Sequence, residues 1–204
     1  MSYEYDIFIS YRRNVEALGW IRDHFLPLLE LRVGFELERT PKIFLDVQTE
    51  VGTSWPTALG VALGKSRVLM PLWSRNFLSS VWCAQELSQM LARESEAKLR
   101  TSLRPHGVIV PAFIHDGDKF PPELRHMQYF EIQNSFNVRM ARDSVRAEEL
   151  DAELTKRAPA IAACIENAPA WRAAWPALAA EKFFDKFYET HPATQTSLPR
   201  FAPV

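Results

Sequence analysis

Glycine is scarce: the 204 residues contain seven, with no GxGxxG run. A glycine-lined dinucleotide loop is therefore not expected. Cysteine is scarcer still. Cys83 and Cys164 leave no CxxC spacing, which excludes a disulfide framework and cysteine-based zinc or redox motifs. His24, His106, His115, His126 and His191 show no metal-ligand spacing, so no metal site is expected. Neither sign of charge dominates, with 24 basic against 25 acidic residues; that balance argues against a nucleic-acid footprint. No apolar run approaches a membrane span. In "MSYEYDIFISYRR" the charges lie on the wrong side of a short apolar run for a secretory leader. Together these absences predict a reduced, cytoplasmic protein.

What is present is enough apolar material, 47% of the chain, for one real core. "YDIFIS" (5–10) is β-branched and aromatic, the signature of a buried strand. Further strands are expected at "KIFLD" (42–46), "RVLMPLW" (67–73), "GVIVPAFI" (107–114) and "QYFEI" (128–132). Helical spacing places Ala17, Trp20, Ile21, Phe25, Leu28 and Leu29 on one helix, which Pro27 should kink or shorten. A second helix runs through "TSWPTALGVALGKS" (53–66), and a third from about Ser80 to Lys98. Pro71 implies a bend or an edge position for the third strand. Strands alternating with helices argue for an α/β fold: an open, mainly parallel five-stranded sheet covered by helices on both faces. Residues 1–133 make this core. Residues 134–190 read as extra C-terminal helices packed on it, with one long helix or two split at Pro159, and residues 191–204 as a tail.

Ligands of such sheets bind beyond the carboxyl ends of the strands. That rim comprises Ser10 to Arg13, Asp46 to Gly52, and Trp73 to Asn76. Other motifs tempt and fail. "GVALGKS" (60–66) has three residues between its glycines and ends a helix, whereas a phosphate-binding loop needs four and opens one. Ser79 and Ser80 lack a nucleophile-elbow context, and Cys83 is expected to be a small buried helix residue. "SYRR" (10–13) stands where an anion would bind, although such a run also suits a solvated basic turn. In "WCAQEL" (82–87), Trp82 and Glu86 project from one helix face. An aromatic plane and a carboxylate so paired are either a core anchor with a solvated neighbour or two walls of a site.

Taken in order, "YDIFISYRR", "IFLDVQTEVGTSWPTAL" and "SRVLMPLWSRNFLSSVWCAQEL" resemble the boxes of a TIR (Toll/interleukin-1 receptor) domain, over about residues 4 to 133. The resemblance implies a flavodoxin-like sheet. It also implies one of two activities: homotypic assembly as a signalling adaptor, or cleavage of NAD⁺ between nicotinamide and ribose. Enzymatic members carry a glutamate on the third helix, commonly four residues after a tryptophan, which here is Glu86 after Trp82.

On that resemblance Glu86 is the catalytic residue, and Tyr11, Arg12, Arg13, Asp46, Ser74 and Trp82 are substrate-binding residues. Thr49, Glu50, Val51, Gly52 and Trp55 form an assembly loop. NAD⁺ would be a substrate and no cofactor is expected. Expected partners are further copies of the chain and a sensor or effector protein, with no nucleic acid and no membrane. Bacterial relatives of this type commonly serve immune defence. A nucleoside deoxyribosyltransferase on a similar sheet fits the ordered boxes less well.

Overall fold

Alternating contact with two helical layers makes Tyr5–Tyr11 the first strand, β1, buried along almost its whole length. A computed structural model describes residues 2–12, 15–45, 55–74, 77–115 and 127–173, without the side chains of 15, 16, 55–59 and 78. After β1 come α1 (Val15–Trp20), a π-helical turn (Ile21–Phe25), α2 (Leu26–Leu37), β2 (Ile43–Leu45), α3 (Trp55–Gly64) and β3 (Ser66–Ser74). Then follow α4 (Val81–Glu96), β4 (Ala112–His115), β5 (Phe130–Glu131) and α5 (Val145–Glu166).

The strands pair in the order β2-β1-β3-β4-β5, every neighbouring pair parallel. This is the five-stranded parallel sheet expected from the sequence. The step from β1 to β2 runs one way and the later steps run the other. Right-handed crossovers therefore set α1 and α2 on one face, and α3 and α4 on the opposite one. α5 packs beside α2. The order reverses between β1 and β3, so the ligand crevice of such a sheet lies beyond Tyr11 and Ser74.

Three prolines are accommodated, each for a local reason. Pro27 does not shorten its helix: Phe25 and Leu26 before it keep right-handed helical angles, and the chain turns on from α1 into α2 without a break. The disturbance moves upstream into the π-helical turn, where the Leu26 N–H donates to the Ile21 carbonyl five residues back. Pro71 lies in the middle strand of the sheet, not at an edge. Residues 69 and 71 face the same neighbour by alternation. Leu69 bridges Ile109, but the regular ladder with β4 resumes only at Leu72 and Ala112. The N–H that Pro71 lacks falls in that gap. Pro159 stays inside one continuous helix of 22 residues, on its exposed side.

At the amino ends of the strands, Asp6 is buried and accepts both prongs of the Arg39 guanidinium at 2.6 and 2.7 Å. It also accepts the Lys42 N–H at 2.9 Å. Buried Arg93 donates to the Ser66 carbonyl at 2.7 Å, and burial pulls its pKa down to about 10. Beyond α5 the chain returns beneath the sheet. The Tyr3 hydroxyl donates to the Pro169 carbonyl at 2.7 Å, and Trp171 Nε1 to that of Gly64 at 3.2 Å. Among the described residues no helix is long and apolar enough to cross a membrane. The readings for residues 174–204, including the tail, lie outside the described residues.

Candidate functional site at the carboxyl ends of the strands

A serine in a buried strand needs an acceptor for its hydroxyl, because the ladder engages only the backbone. Ser10, next to last in β1 and 2% exposed, finds one on α4. Its Oγ donates to Glu86 Oε2 at 2.5 Å. α4 offers Glu86 there for reasons visible in its sequence. Ser80 caps the helix, its hydroxyl accepting the Cys83 N–H at 3.4 Å. Cys83, Leu87 and Met90 form the buried stripe, and Glu86 sits three residues after Cys83, at the upper margin of that stripe. The carboxylate is half-buried, as is Trp82 one turn before it.

Cys83 records the electrostatics of this corner. Its thiol is pushed up to about 12, first by burial and then by the Glu86 carboxylate. The hydroxyls of Ser80 and Ser10 and the Arg12 guanidinium act the other way. A buried thiol, two hydroxyls, a carboxylate and an exposed cation thus share one neighbourhood. A carboxylate held by a hydroxyl donor at the rim of the sheet is suited to bind a polyhydroxylated ligand and to stabilise developing positive charge.

The other expected site residues divide. Ser74 ends β3 beside His115, after a bulge between Trp73 and Ser74 of the kind that re-aims side chains at sheet rims. Tyr11 ends β1 and is buried, but alternation directs it to the face opposite Ser10. Arg12 is exposed just past the strand. Trp55 begins α3. Arg13, Asp46, Thr49, Glu50, Val51 and Gly52 lie outside the described residues, as does the side chain of Trp55. Ser10 was expected on the ligand rim but was given no individual role. Its signal was a polar residue closing the apolar run "IFI", on the same strand face as Phe8.

Three similarities to known proteins bear on the chain. The family model for the TIR domain matches residues 7–147. The TIR domain of the Toll-related receptor TRR-2 from Hydra magnipapillata is 21% identical, with 62% of this chain and 83% of that chain covered at a TM-score of 0.46. The TIR domains of the activated Roq1 resistosome, which recognises the pathogen effector XopQ, are 24% identical, with 76% and 84% covered at a TM-score of 0.36. The family model spans well over half of the sequence and includes most of β1, all of β2 to β5 and the Ser10–Glu86 corner: the chain belongs to the TIR domain family.

Proposed function

We propose that this TIR domain is an NAD⁺ nucleosidase, with Glu86 as its catalytic carboxylate. The observation that supports this most is the half-buried Glu86 carboxylate at the carboxyl rim of the sheet, fixed by the buried Ser10 hydroxyl. Cleavage breaks the bond between the ribose anomeric carbon and the nicotinamide nitrogen, and the bonding pair leaves with neutral nicotinamide. No general acid is needed. The ribose acquires oxocarbenium character, as in glycoside cleavage. Glu86 stabilises that charge and accepts hydrogen bonds from the ribose hydroxyls. Water attack then gives ADP-ribose and a proton; attack by a nucleophile of the same molecule gives a cyclic isomer. Trp82 offers a planar face to an aromatic ring, and Arg12 with Arg13 a counter-charge for the pyrophosphate. Bacterial immune defence, with activity switched on by self-assembly, is the setting that fits this chemistry.

The Ser10–Glu86 bond also favours a second reading. A carboxylate so engaged joins β1 to α4 structurally, as it would in a TIR module that acts by homotypic assembly alone. Chromatography of NAD⁺ incubated with dilute and concentrated protein separates the two. Nicotinamide release with ADP-ribose or a cyclic isomer supports the enzyme. Intact NAD⁺ at every concentration, from protein that still self-associates, supports the module.

A further inference from the structure

Two surfaces on different faces of the fold present apolar side chains to solvent. The first is the turn between α4 and β4. Thr101 and Arg104 exchange backbone hydrogen bonds, each 3.1 Å, and close a tight turn over Ser102 and Leu103. Leu103 is 92% exposed. The turn is braced from behind. The Arg104 guanidinium donates to the Ala97 carbonyl at 2.7 Å. Arg100 is fixed between the Glu94 carboxylate at 2.7 Å and the Ile109 carbonyl at 2.6 Å. Lys98 and Arg100 adopt left-handed φ of 51° and 55°, a strained choice for residues other than glycine. The backbone is thus held in one costly shape that displays a leucine from a segment carrying Lys98, Arg104 and His106.

The second surface is the outer stripe of α2. Leu29 and Val33 bury its inner face, yet Leu31 and Phe35, four residues apart on the outer face, are 47% and 65% exposed. A solvent-facing helix is normally polar there. Glu30, Glu36 and Glu38 surround the stripe and make no ion pair among the described residues. The two surfaces are complementary in sign and in kind: a basic turn tipped by leucine, and an acidic helix face with an apolar centre.

We propose that the Leu103 turn of one copy docks on the Leu31–Phe35 stripe of the next. Because α2 and α4 lie on opposite faces of the sheet, the contact is heterologous, and repetition builds an open chain or a ring. This deepens the assembly part of the function proposed above and rests on self-association, not on NAD⁺ cleavage. Its test therefore reads mass, not turnover, so the two can fail separately.

The experiment is sedimentation velocity of the full chain over a concentration series, with Leu103→Asp, Phe35→Asp and their equimolar mixture. Both side chains are exposed, so each variant retains the wild-type far-ultraviolet circular dichroism. The wild type forms species larger than a dimer, and raised salt weakens them because the contact is partly ionic. Each variant alone is monomeric. The mixture recovers a one-to-one dimer and nothing larger, since each variant keeps the surface the other lost. A monomeric wild type, a single variant that still associates, or a mixture that stays monomeric overturns the proposal. Association of the Leu103→Asp variant alone would assign the α2 stripe to a symmetric contact instead.

Discussion

The Ser10 hydroxyl reaches 76 residues along the chain to hold one oxygen of the Glu86 carboxylate at 2.5 Å. That contact joins the switch-point strand to the helix that carries the proposed catalytic group. Hydrogen bonds to charged groups contribute about 1.5–3 kcal/mol. Ser10→Ala should therefore lower kcat about 10- to 100-fold with a smaller change in KM, and Ser10→Thr should restore most of it. Steady-state kinetics of both variants check this. Equal kcat in Ser10→Ala and wild type would remove Ser10 from the site.

The Asp6 cluster predicts a stability effect with a defined sign. Burial pushes the Asp6 carboxyl upward, but the Arg39 fork, the Lys42 N–H and Arg67 together outweigh it and leave the pKa below its ordinary value. A depressed folded pKa means that the stabilisation is fully present above the unfolded value of about 3.9 and is lost as pH falls through the folded one. Asp6→Asn should melt below the wild type at neutral pH, and the gap should close under about pH 4. Thermal melts across pH decide it; a gap that widens in acid contradicts the assignment.

Cys83 should be chemically silent. With its thiol near 12 and its side chain buried, almost no thiolate forms at pH values where iodoacetamide is used. Mass spectrometry of native protein should show Cys83 unmodified, and denatured protein should show it alkylated. Rapid native labelling would mean that the corner beside Glu86 is open.

Gly107 has no room for a methyl group. A Cβ there would stand 2.3 Å from Glu94 Oε1 and 2.5 Å from Arg100 Cζ. Glu94 also accepts the N–H groups of Val108 and Ile109 at 2.7 and 3.0 Å. Gly107→Ala should displace this carboxylate, at a cost of about 1–3 kcal/mol in chemical denaturation. It should also weaken self-association through the Leu103 turn. An unchanged denaturation midpoint would show that the loop relaxes freely.

How much of this was legible in the sequence depends on what each residue obeys. The strands from "YDIFIS" onward follow from apolar runs, and their parallel order from the intervening helices, so the sheet could be read directly. The prolines could not, because their tolerance is set by neighbours: Pro71 depends on a gap in the β3–β4 ladder, which is a tertiary fact. The Trp82–Glu86 face was visible from helical spacing alone. The bond from Ser10 to Glu86 was hidden for the opposite reason. A single hydroxyl at a strand end carries no periodic signal, and its acceptor lies on a distant helix. The C-terminal part was legible as helix, but not its path beneath the sheet, where Tyr3 and Gly64 hold it.

In the proposed reaction the carboxylate of Glu86 carries NAD⁺ cleavage. The most direct measurement is nicotinamide release from NAD⁺ by concentrated wild-type protein and by Glu86→Gln, which keeps the side-chain shape and an oxygen to accept the Ser10 hydroxyl while removing the charge. Release by the wild type is expected, with a loss of at least about 100-fold in the variant, the scale set by removing a group that stabilises transition-state charge. Equal release by the two proteins would contradict it.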